Sequence, residues 1–172
     1  MNRYSMVVAA AVLTGALSVQ AQSANPMSTE LKQMYTGVKN NLTKMAEKMP
    51  EEDYSFKPTP DIRTFGQLVA HVADSVARNC SAVNGEMKTV NAASKTSKAD
   101  LVAALKEGFA ICDTAYDSLT DATASQMVKL GRAEHTKIAA LAGNVSHANE
   151  EYGYMAVYMR LKGVVPPSSE GR

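Results

Sequence analysis

Three residues in this chain are of the right type and spacing to hold a metal ion: His71, His147 and Glu151. A neutral imidazole offers a nitrogen and a carboxylate an oxygen, and both are ordinary donors to divalent first-row metals. His147 and Glu151 are four residues apart, so on a helix they project from one face. Donors at that spacing can share one ion, as they do in other helical metal sites. His71 falls in a separate helical stretch and would complete a set of two imidazoles and one carboxylate. Such a set leaves coordination positions open for water or substrate, and suits iron, zinc, nickel or manganese. Spacing alone is a weak signal. A single helical histidine is more often hydrogen-bonded or solvated, and Glu150-Glu151 also reads as a charged face. Glu150 could substitute as a ligand, but it points about 100° from Glu151 on an ideal helix. The third histidine, His135, lies in a connector. Asp74, Asn79 and Tyr154 could be outer partners or pocket wall, with packing or surface the plainer reading. No Gly-rich phosphate loop, nucleophile elbow or Ser/His/Asp arrangement is present, and no general base stands out.

Helices must position these groups. Leu31, Met34, Tyr35, Val38, Leu42, Met45, Ala46 and Met49 recur at three- and four-residue steps, which predicts a helix over 27–49. Ser28 is a candidate cap at its start, and Pro50 stops it. Pro58 and Pro60 make the next segment an ordered connector. Thr64 with Gln67 three residues on forms a capping box. The helix it opens carries Phe65, Leu68, Val69, Val72, Val76 and Cys80 on its apolar face and ends near Gly85. Residues 88–97 read as a loop, and Ser97 as the cap of a third helix through Leu119. Met127 to Gly131 reads as a short extended piece before a turn. A fourth helix is expected over 136–162, ended by Gly163 and the Pro166-Pro167 pair, with a frayed tail. Four long amphipathic helices are best buried as an all-α four-helix bundle. The connections after the second and third helices are long for a bundle, and one or both are expected to cross its end.

The first residues are a different object. Arg3 precedes an apolar run from Met6 to Val19, interrupted only by Thr14, Gly15 and Ser18, and Val19-Gln20-Ala21 supplies small residues at a peptidase site. This is the pattern of a secretory signal peptide over residues 1–21, leaving a domain over 22–172. The run is short for a membrane span, so no membrane attachment is expected after cleavage, and the mature protein is expected to be periplasmic or extracellular. The 172 residues suit one domain. With 45% apolar and 20% charged residues the composition is that of a globular protein. A net charge of +1 without a basic cluster argues against nucleic acid as a partner. Cys80 and Cys112 are the two cysteines. Export permits a disulfide between them, and two buried free thiols are the alternative.

Three stretches resemble the DinB-like superfamily. The first, KMPEEDYSFKPTPDIRTFGQLVAHVADS from Lys48 to Ser75, is similar to the family's connector and the helix with its first ligand histidine, here His71. The second, HANEEYGYMAVYMRLKGVVPPSS from His147 to Ser169, resembles its last helix and ending. The third, weaker, is Gly108 to Asp113 with Cys80, similar to a two-cysteine subgroup. The resemblance implies a metal-binding four-helix bundle, often a homodimer, with hydrolase or thiol-dependent transferase chemistry among its members. Methionines on the first and last helices could line a dimer contact or simply fill the core. One departure matters. Members with an intact site carry His-x-x-x-His on the last helix, and here Glu151 replaces the second histidine. Either the carboxylate still ligates, giving altered metal preference, or the site is degenerate. The expectation is an exported metal-dependent hydrolase or transferase acting on a small molecule, with a non-catalytic binding or stress-related bundle as the alternative.

Overall fold

The computed structural model describes residues 24–171, so the leader read in Met1 to Ala21 lies outside it. The four expected helices are present as α1 (Pro26–Lys48), α2 (Phe65–Asn84), α3 (Lys98–Ser118) and α4 (Lys137–Leu161). Between α3 and α4 the chain forms a hairpin of β1 (Met127–Leu130) and β2 (Ala133–Thr136). Short 3-10 turns occupy Glu51–Ser55, Ala92–Ser94 and Pro167–Ser169. No helix among the described residues is long and apolar enough to cross a membrane.

The helix ends follow local chemistry at three of four starts. The Thr64 hydroxyl accepts from the Gln67 amide at 3.2 Å, and the Gln67 side chain accepts from the Thr64 amide at 2.9 Å, completing the capping box. Ser97 accepts from the Asp100 amide and Thr136 from the Ala139 amide. The start of α1 is different. Ser28 does not cap it; the helix begins at Pro26, with Asn25 at the cap position. Its free amides, those of Met27 and Ser28, donate to the carboxylate of Asp121 at 3.1 and 2.8 Å. That partner lies more than ninety residues away in sequence, beyond the reach of a local reading.

Both α1 and α2 pack against α3 on one side and α4 on the other, so the ring order is α1-α3-α2-α4. The helix pairs α1–α2 and α3–α4 stand diagonally. Their connectors cross the bundle ends, whereas the α2–α3 connector joins neighbours. The expected crossover after the third helix is present, the one after the second is not, and the first connector crosses instead. It does so as an ordered segment: Tyr54 donates to the Ala46 carbonyl, and the Phe65 amide closes a loop on the Phe56 carbonyl at 2.9 Å.

The core is built from Tyr35, Leu42 and Met45 of α1, Phe65 and Val69 of α2, Leu105 of α3, and Leu141 and Met155 of α4, all at most 2% exposed. Met45, Met49, Met155 and Met159 are core filler, while Met27 and Met34 are exposed. Cys80 and Cys112 form a disulfide with Cα atoms 4.9 Å apart, which decides between bridge and thiols and staples α2 to α3. Close approach of the same two helices needs Gly108, where a Cβ would sit 2.8 Å from the Ala73 carbonyl oxygen. The extended piece read at Met127 is β1. Its partner β2, in register Met127 with Thr136 and Leu130 with Ala133, was not foreseen. The tail is docked, not frayed. Ser168 and Ser169 bond to Tyr152 and Arg160, and Glu170 pairs with Lys48.

Candidate metal centre

His71 sits mid-way along α2, on the side that meets α4, and His147 and Glu151 face it from successive turns of α4. One donor atom from each of the three lies within 4.8 Å of the others. The His71 Nε2 to Glu151 Oε1 distance is 3.5 Å, and the two imidazole rings meet edge to face with centroids 5.1 Å apart. The packing of α2 on α4 therefore brings together the three residues singled out by type and spacing. His135 is not among them; it lies on β2 opposite Val128.

Burial acts on two groups of this cluster, His71 and Glu151. Burial pushes the His71 pKa down, helped by the charges of Arg63, His147 and Arg78 and opposed by Asp74. Burial pushes the Glu151 carboxyl up, against the pull of His147 and Arg63 and with the repulsion of Glu150. For both groups burial is the largest cause, and it acts against the charged form. A neutral imidazole is the ligating form. Glu151 is 4% exposed, and its Oε2 is buried without a hydrogen-bond partner among the described residues. A carboxylate with an orphaned buried oxygen, clustered with two imidazoles, is a donor set that a divalent cation would complete, so the residues present fit such an ion.

Around the cluster, Glu150 Oε2 stands 3.7 Å from His147 Nδ1, an ion-pair distance longer than a hydrogen bond. Tyr154 donates to Glu150 at 2.7 Å. Glu150 is therefore an outer neighbour of His147, and Tyr154 holds it there. Asp74 plays no part in the pocket wall; it accepts from the Ala92 and Ala93 amides and orders the 3-10 turn before α3. Asn79 points to Asn144 in the bundle interior at 3.5 Å.

A cleft of about 730 Å³ opens beside the cluster, with Glu151 as part of its wall. The first connector, Leu68 of α2 and α4 supply the rest, among them Ile62, Arg63, Tyr154, Val157 and Tyr158. Sequence reasoning missed this cleft and missed Arg63. The one available signal was a cation at the end of an ordered, proline-bearing connector, the kind of segment that carries function on a rigid scaffold.

Fold and site together define a class: a helical bundle with a candidate divalent-metal centre of two imidazoles and a carboxylate. The chain belongs to the DinB superfamily, whose sequence profile matches residues 34–155. Among solved structures it is similar to a DinB-like protein from Bacillus cereus, with a TM-score of 0.68 and 20% identity over 81% of this chain and 95% of that one. A DinB-like protein from Bacillus subtilis gives a TM-score of 0.61 at 21% identity over 78% and 92% of the two chains. A conserved protein from Enterococcus faecalis gives 0.63 at 15% identity over 78% and 95%. No curated protein matches the chain.

Proposed function

We propose that this protein is an exported, divalent-metal-binding bundle in which His71, His147 and Glu151 hold one ion, and that it serves as a metal-dependent hydrolase or transferase. The observation that carries the reading is the Glu151 carboxylate, which offers one donor oxygen within 4.8 Å of donor nitrogens on both imidazoles and has a buried Oε2 without a hydrogen-bond partner among the described residues. Buried polar atoms in folded proteins are nearly always satisfied, and a cation shared by the three donors satisfies this one. Bound there, zinc, nickel, iron or manganese would supply Lewis acidity and a lowered pKa for a coordinated water or thiol. The chain's own residues contribute the rest. His71 and His147 each offer a ring nitrogen, Glu151 offers charge compensation, and Glu150 with Tyr154 steadies the His147 ring. The replacement of the family's second histidine by Glu151 shifts the donor set toward oxygen and so toward harder ions than an all-imidazole set prefers. Two features support export: the leader-like composition of Met1 to Ala21 and a disulfide, which persists in oxidising compartments.

The test is elemental analysis of the untagged protein beside His71→Ala and Glu151→Ala variants. The reading predicts a stoichiometric ion in the parent and its loss in both variants. A metal-free parent whose melting temperature ignores added zinc, nickel, iron and manganese would make this a non-catalytic bundle with a degenerate site.

A further inference from the structure

The cleft beside Glu151 has a chemistry of its own. Ile62 and Val157 expose apolar side chains on it, at 42% and 53%, and Leu68 and Tyr158 form more deeply buried wall. Its volume of about 730 Å³ is in the range of small-molecule sites, roughly 300–1,000 Å³, rather than that of a shallow protein contact. Arg63 stands on this wall. Its position is fixed through the backbone: Tyr158 of α4 donates to the Arg63 carbonyl at 2.8 Å, and the next residue, Thr64, is locked in the capping box of α2. Its guanidinium makes no hydrogen bond or ion pair among the described residues. It is nonetheless near enough to act electrostatically on both His71 and Glu151. An uncommitted guanidinium on a held backbone, next to apolar surface, is the arrangement that receives an anion at one end of an apolar body. Two acids, Asp61 and Glu151, also line the cleft. They repel a second negative charge, so a monoanion fits and a dianion does not.

We propose that this cleft binds a small organic carboxylate with an apolar body, its head paired to Arg63 and its body lying on Ile62, Leu68, Val157 and Tyr158. This deepens the metal-site reading by naming the class of molecule presented to that site, and rests on that reading only for the ion at one end of the cleft. Arg63 is then a specificity-determining residue, and the carboxylate is bound through the cleft wall.

The test is calorimetric titration of the full mature protein with 4-phenylbutyrate, 4-phenylbutyramide and 4-phenylbutylamine, each with and without added zinc. The proposal predicts that the carboxylate binds and that the amide and the amine bind at least about tenfold more weakly. Arg63→Gln is expected to weaken the carboxylate by about tenfold or more while leaving the melting temperature unchanged, and Arg63→Lys to restore part of the loss. Carboxylate binding that persists in His71→Ala, which cannot hold the ion, would separate this inference from a failure of the metal site. Stronger binding of the amine would show that Asp61 and Glu151 set the charge preference, and would overturn the proposal. So would the absence of binding by all three compounds; a dimeric mass in solution that falls to monomer in Val157→Asp would then identify the apolar face as a protein contact.

Discussion

Glu151 carries one buried carboxylate oxygen that no donor among the described residues meets. In the metal-free protein that oxygen is a cost, because a buried, unpaired polar group loses its hydration without replacement. Glutamine keeps the shape and removes the charge. Glu151→Gln is therefore expected to leave the metal-free protein as stable as the parent or about 1 kcal/mol more so, while abolishing the rise in melting temperature on adding zinc. Paired thermal melts in chelator and in excess zinc measure both effects. A variant markedly less stable than the parent in chelator would mean that the carboxylate has a structural partner. At this scale the sequence was informative about the three donors because their types are rare and two share a helix face. It was silent on Arg63, since nothing local distinguishes a cation bound for a cleft from one bound for solvent. What places Arg63 is Tyr158, on a helix almost a hundred residues further along.

The elements were legible where their signals are local. Thr64, Ser97 and Thr136 cap their own helices, so three starts were readable to within a residue. The start of α1 was not, because Asp121 in the α3–β1 connector satisfies its amides. The second hairpin strand was hidden for a related reason. Ala133 to Thr136 has little alternation of its own and becomes a strand by pairing with β1. The α2–α3 pair depends on a covalent link as well as on packing. Cys80 and Cys112 are 32 residues apart in sequence, and a closed loop of that size contributes about 3–4 kcal/mol in the chain-entropy model. The Cys80→Ser/Cys112→Ser double variant is expected to unfold at lower urea concentration by an amount corresponding to that figure. An unchanged midpoint in the parent on reduction would contradict the role given to the bridge.

At the scale of the whole molecule, apolar periodicity was enough to give four helices but not their ring order. Which connectors cross depends on contacts between helices that the periodicity of each helix does not encode. The tail was misread for the same reason, since its anchors are Lys48, Tyr152 and Arg160. Three tyrosines tie the bundle together from inside. Tyr35 stacks on Tyr116 with ring centroids 3.9 Å apart and donates to Asp113 and the Phe109 carbonyl; Tyr116 donates to the Leu141 carbonyl; Tyr54 holds the first connector to α1. Burial, the largest cause in each case, pushes all three phenols well above their ordinary value, and Asp113 adds to it at Tyr35. The folded state thus favours the neutral phenol. That contribution is fully present below the unfolded value of about 10 and is lost as pH rises through and beyond it. Urea midpoints measured from about pH 8 to 11 are expected to hold steady and then fall steeply. A flat profile across that range would contradict the burial of these rings.

The central claim is that α2 and α4 hold one divalent ion between His71, His147 and Glu151, and anomalous diffraction from crystals grown with zinc tests it most directly. The account predicts one strong peak at the zinc edge between the three side chains, with nitrogen and oxygen ligands at about 2.0–2.2 Å. A peak elsewhere on the surface with none at this position, in protein saturated with zinc, would contradict it.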